Sequence, residues 1–142
     1  MLICNKKFFK NVDYGLLLTF AGFFIFIGCL SALPQVSNYL KSVLSSAYST
    51  YLAGIFSSQV ISNVPAAILL SGFTANSKEL LLGVNVGGLG TLIASLASVI
   101  SFKLYKNSDS QSCTESFFVK FSVYNIGLLI ILGIVVWTLN SY

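Results

Sequence analysis

The chain has 142 residues, 56 % of them hydrophobic and 8 % charged, with a mean hydropathy of +0.86. A soluble domain carries about 25 % charged residues, so eight lysines and four carboxylates cannot wet a globule of this size, and most of its surface must face lipid or protein. The lysines stand singly between apolar runs, with no Arg and no His, which argues against nucleic acid as a partner and suits flanks of membrane segments.

Charges divide the sequence into uncharged runs at residues 14–40, 42–77, 80–102 and 121–142. A bilayer core of about 30 Å needs roughly 20 helical residues. The first, third and fourth runs each fit one crossing, and the second does not. Within the first, an apolar stretch over residues 16–33 follows Lys6, Lys7 and Lys10, and Phe26-Ile27-Gly28-Cys29 faintly resembles a lipoprotein cleavage site. The stretch is longer than a signal core and more apolar segments follow, so it reads as a retained span. Pro34 ends it, and an interfacial helix over about residues 35–46 comes next.

Residues 42–77 are too long for one helix and are interrupted by Ser62-Asn63-Val64-Pro65. Two full crossings would leave residues 66–77 for the second, about half the length required. Pro65 lacks an N–H and disfavours a helical Val64. The economical picture is a re-entrant hairpin, with arms over residues 48–61 and 66–73 and a short non-helical tip. The third run is interrupted by Gly83-Val84-Asn85-Val86-Gly87-Gly88-Leu89-Gly90-Thr91. Each of its four glycines costs a helix about 1 kcal/mol relative to Ala, which predicts two half-helices, residues 78–84 and 92–105, with unwound chain between them. Such backbone survives at membrane depth only inside protein or beside a wet cavity. Residues 106–115 read as a loop. A last helix over residues 117–139 carries Trp137 near its end, with Tyr142 just beyond, at the headgroup level.

The expected fold is therefore an all-α integral membrane domain spanning residues 1–142. It comprises one transmembrane helix, an interfacial helix, a re-entrant helical hairpin, a broken transmembrane helix and a terminal transmembrane helix. Lysine counting places Lys6, Lys7, Lys10, Lys103, Lys106 and Lys120 on one side and Lys41 and Lys78 on the other. The positive-inside bias then predicts a multi-pass protein of the cell membrane with a cytoplasmic N-terminus and an external C-terminus.

Cys4, Cys29 and Cys113 are far apart and have no His to complete a metal site, so they read as ordinary apolar or loop residues. Asp13, Glu79, Asp109 and Glu115 sit at segment ends rather than converging, so no enzyme is expected. The lack of an intramembrane carboxylate leans against proton coupling through this chain.

The two interruptions carry the functional signal. Half-helix N-termini attract anions, and loose carbonyls and helix C-termini coordinate cations such as Na⁺. Paired broken segments mark a transporter's binding site. Ser62 and Asn63 add polar side chains at the tip, and Asn85 and Thr91 add them in the glycine stretch. The structural alternative stays open: Asn and Ser satisfy local backbone at turns, and glycines serve close helix packing in membranes.

Val12-Asp13-Tyr14-Gly15-Leu16-Leu17-Leu18 with Phe20-Ala21-Gly22-Phe23-Phe24, the Ser62–Pro65 tip and the glycine stretch from Gly83 through Ser95 together resemble the ion-transporter superfamily. That group includes arsenite permeases, NhaD-type sodium/proton antiporters, citrate permeases and sodium/dicarboxylate symporters. The resemblance is to the C-terminal repeat and covers nearly the whole chain. It implies an elevator-type anion transporter with two inverted repeats, usually dimeric. It also implies substrate contacts at Ser62, Asn63, Val64 and Thr91, and an ion site, with Na⁺ as the coupling ion, at Asn63, Asn85, Gly87, Gly88 and Gly90. No other cofactor is implied. The chain departs from the symporter pattern at Val64, where Thr is usual, and from the permease pattern at Leu89 and Leu92, where Asn and Pro are common. Those departures leave the coupling ion open, Na⁺ being one candidate, and leave a di- or tricarboxylate and an oxyanion both open as substrate.

Full members are much longer. A lone repeat would leave polar backbone facing lipid at several kcal/mol per group, so an N-terminal transporter half is expected as partner. A truncated product or a non-transporting interaction subunit, or a sodium/proton antiporter fragment, are the competing readings.

Overall fold

The computed structural model describes residues 14–108 and 114–140, which contain no strand. Helix α1 (Tyr14–Ser31) turns through 91° into α2 (Pro34–Val43). The corner follows from Leu33, held extended ahead of a proline, and from Pro34 at the first helical position, where its missing N–H has no role. Helix α3 (Ala47–Ile61) starts on a capping box: Ser46 Oγ accepts the Ser49 N–H at 3.2 Å and Ser49 Oγ accepts the Ser46 N–H at 3.3 Å.

A single residue, Ser62, separates α3 from α4 (Asn63–Ser71). The arms are about 22 Å and about 13 Å long at 1.5 Å per residue, so neither crosses the hydrocarbon and the hairpin is re-entrant. The tip is tighter than the four residues expected. The Ser62 N–H donates to Ser58 O at 3.1 Å and its carbonyl accepts the Ala66 N–H at 3.0 Å, so one residue closes both helices. Val64 is helical, against expectation. Pro65 lies in the first turn, where N–H groups have no intrahelical partner and proline is tolerated.

Helix α5 (Ser77–Gly87) continues three residues beyond its expected end at Val84. Gly83 and Gly87 face α3. A Cβ on Gly83 would collide with the Tyr51 carbonyl oxygen, and one on Gly87 would lie 2.8 Å from Ile55 Cα and 2.9 Å from Ser58 Cβ. Opposite them, a Cβ on Gly54 would stand 3.1 Å from the Val84 nitrogen. Close packing of small residues thus outweighs the helix cost of these glycines. The unwound stretch falls later, at residues 88–95. It holds a 3-10 turn (Leu92–Ala94) and leads into α6 (Leu96–Ser108). The expected start of this half-helix at residue 92 is therefore displaced to Leu96. The loop expected over residues 106–115 shrinks from both ends, because α6 reaches Ser108 and α7 (Thr114–Asn140) begins at Thr114. Cys4, Asp13, Asp109, Cys113 and Tyr142 lie outside the described residues.

Helix α3 is the hub. It packs most closely on α5, then on α4, while α1 leans on α4. One apolar cluster joins Leu44, Ala66, Leu70, Leu80 and Val84; a second joins Tyr51, Ile55 and Val86 to Leu129, Val136 and Trp137 of α7. Tyr51 OH donates to Gly133 O at 2.9 Å, and the Trp137 ring lies 5.1 Å from that of Tyr48 and 5.5 Å from that of Tyr51. Trp137 therefore packs on α3 as well as marking a helix end. Residues Phe117–Asn140 are long and apolar enough to cross a bilayer, and α1 and α2 meet that test only as a bent pair. Side chains such as Val123, Ile131, Ile134 and Leu139 are exposed along α7. The protein is an all-α membrane protein.

Candidate functional site

The hairpin tip and the unwound stretch touch. Ser62 Oγ donates to Ala94 O at 3.4 Å, and the Asn63 carboxamide lies on Gly88, whose Cβ would be 2.9 Å from Asn63 Nδ2. The tip is also strained. Ser62 has φ 73° and ψ 153°, a region nearly reserved for glycine and costing about 1–3 kcal/mol for other residues. Strain of this kind persists where surrounding contacts over-determine it, and it clusters at functional sites.

Gln59, one turn before the tip, holds the break together. Its Nε2 donates to Gly87 O at 2.7 Å and Leu89 O at 3.0 Å, with Ile55 O at 3.4 Å. Its Oε1 accepts the Thr91 N–H at 2.9 Å, and Thr91 Oγ1 donates to Gln59 O at 3.2 Å. One side chain thereby satisfies three backbone groups that the end of α5 would otherwise leave open. Gly90 permits it. Its φ is +102°, and a Cβ there would lie 2.5 Å from Gln59 Oε1.

Several donors at the tip have no partner among the described residues: the first-turn N–H groups of Asn63 and Val64, and the Asn63 carboxamide. Pro65 contributes none. These groups sit at the N-terminus of α4, where the helix dipole favours an anion. No charged side chain occurs between residues 42 and 77. Among the described residues, no group of three or more His, Cys, Asp or Glu could hold a metal ion.

The residues singled out from sequence divide by position. Ser62, Asn63 and Gly88 come together. The Val64 side chain is about half exposed (48 %). Thr91 is engaged with Gln59 through both amide and hydroxyl. Gly87 and Gly90 meet α3 and Gln59. Asn85 reaches the break only through its carbonyl, which accepts the Gly88 N–H at 3.3 Å. Its exposed side chain lies on the face of α5 away from Gly83 and Gly87. Sequence reasoning missed Gln59, whose one signal is that it is the only amide side chain in the first hairpin arm. It missed as well a cluster at the hairpin base, where Thr50 Oγ1 and Thr74 Oγ1 both donate to Leu44 O, at 3.2 and 3.3 Å. Away from both polar ends, a groove of about 430 Å³ between α3 and α7 is lined by apolar and aromatic residues including Leu52, Phe56 and Ile130.

No family model matches the chain, and no solved structure matches it. Among curated proteins, it is 35 % identical over 126 residues to inner membrane protein YbiR of Escherichia coli, covering 88 % of this chain and 32 % of that one. It is 41 % identical over 97 residues to the uncharacterized transporter MJ0456 of Methanocaldococcus jannaschii, covering 66 % of this chain and 26 % of the relative. The chain thus spans about a third of the first relative and about a quarter of the second. These similarities support a membrane transporter-like family.

Proposed function

We propose that this chain is one half of an ion-coupled secondary transporter for a small anion, a di- or tricarboxylate or an oxyanion, acting with an N-terminal half on the same or another polypeptide. The observation that carries the reading is the unpartnered donor set at the tip, Asn63 and Val64, set against the break at Gly88. Two backbone N–H groups and a carboxamide, backed by the positive end of α4, can hold an anionic oxygen without a fixed cation. The chemistry is recognition alone. The anion exchanges its hydration for these donors, and no bond in it is made or broken.

A half-site of this kind faces outward from the α3–α5 pair, so a matching surface from the other half completes the cavity in the manner of repeat-built transporters. The complete transporter is a dimer. Na⁺ is the coupling ion, and the oxygens around Asn63 and Gly88 are its candidate ligands in this half. The N-terminus is cytoplasmic and the C-terminus external, following the lysine distribution. The test is uptake into proteoliposomes holding both halves, with labelled succinate, citrate and arsenate offered in turn under an imposed Na⁺ gradient. Accumulation of one of the three that collapses without the gradient is expected. Absence of uptake for all three, with both halves folded and inserted, overturns the reading in favour of a non-transporting membrane protein.

A further inference from the structure

The Gln59 carboxamide does more than brace a loop, because of where its nitrogen sits. Three carbonyl oxygens, from Gly87 at 2.7 Å, Leu89 at 3.0 Å and Ile55 at 3.4 Å, converge on Nε2. The first of these ends α5, where unpaired carbonyls and the negative end of the helix dipole gather. A cluster of carbonyl oxygens at a broken helix is the environment that a hard monovalent cation seeks. Here the two protons of an amide, each carrying partial positive charge, take that place. The orientation is fixed from the other side. Oε1 accepts the Thr91 N–H at 2.9 Å, and a flipped amide would set oxygen against carbonyls and nitrogen against an N–H. Gly90 at φ +102° keeps the approach clear, since a Cβ there would lie 2.5 Å from Oε1.

We propose that Gln59 Nε2 permanently fills the cation seat formed by the Gly87, Leu89 and Ile55 carbonyls, so that no exchangeable Na⁺ binds at the end of α5. The seat itself is a property of this chain. Only its consequence for transport rests on the function proposed above: the coupling ion must use the oxygens around Asn63 and Gly88, or the other half, and never the Gly87 and Leu89 carbonyls.

The test uses the full chain in lipid nanodiscs, with glycine labelled at the carbonyl carbon and glutamine at the side-chain nitrogen. Na⁺ is titrated against choline at constant chloride. The Gly87 carbonyl and Gln59 Nε2 resonances are expected to stay in place. A saturable, Na⁺-specific movement of both would show that the ion displaces the amide, and would overturn the proposal. A second arm replaces the nitrogen with oxygen. In Gln59→Glu, at a pH where the carboxylate is ionised, the seat lacks its donors and gains a charge, so its melting midpoint should rise by several degrees with Na⁺ while the parent's follows the choline control. A folded Gln59→Glu with no Na⁺ response contradicts the proposal. Should that variant fail to fold with or without Na⁺, the resonances of the parent chain decide alone. Neither arm measures uptake, so failure of the transport reading leaves both results standing.

Discussion

The α3–α4 hairpin is polar at both ends, and the two ends are built in opposite ways. At the base, the Thr50 and Thr74 hydroxyls lie 3.2 Å apart and converge on Leu44 O, while Asn76 Nδ2 reaches Thr50 Oγ1 at 3.4 Å and its N–H reaches Thr74 Oγ1 at 3.1 Å. Thr50 is fully buried, and both hydroxyls are satisfied, donating to Leu44 O and accepting from Asn76. At the tip, Gln59 satisfies the broken end of α5, yet Asn63 and Val64 beside it keep donors that meet no partner among the described residues. A closed network anchors; a network left partly open can exchange partners. Polar groups inside a membrane are costly, and this cost underlies the proposal that the open set holds the anion.

Gln59→Leu should strand the Gly87 and Leu89 carbonyls and the Thr91 N–H, each costing about 1–3 kcal/mol, so a loss of at least about 3 kcal/mol is expected in denaturant titration of the detergent-solubilised protein. Gly90→Ala forces a Cβ into a positive φ and against Gln59 Oε1. A loss of about 1–3 kcal/mol should register as a lowered melting midpoint. A smaller loss for either than for the base variant below would invert the picture of the tip. Thr50→Val removes a hydroxyl from the base but leaves Thr74 on Leu44 O, and about 1 kcal/mol should be lost by the same titration. Asn63→Ala sharpens the contrast from the other direction. Its carboxamide bonds to no described residue, so stability should change by less than about 0.5 kcal/mol.

Parts of this arrangement were legible in residue order. A run of uncharged residues too long for one crossing and too short for two implies a hairpin, and Ser62-Asn63-Val64-Pro65 marks its tip. The break was legible only in outline. Propensity alone unwinds the chain at the first glycines, but Gly83 and Gly87 lie within α5, packed where Tyr51, Ile55 and Ser58 on another helix leave no room for anything larger. That reason lies about 30 residues away in sequence, where no local rule reaches it. Thr91 was legible as polar and near the site, though its groups turn inward to Gln59. Gln59 itself is one amide in an apolar arm. Nothing about its neighbours distinguishes it until the fold brings residues 87–91 alongside.

The most direct test of the account pairs the two ends in one assay. Asn63→Ala and Thr50→Val are reconstituted with the other half, and initial uptake of the transported anion is measured per folded molecule. Uptake lost in Asn63→Ala and kept in Thr50→Val is the predicted result. Full uptake in Asn63→Ala would contradict the claim that the tip, set against the break, holds the anion.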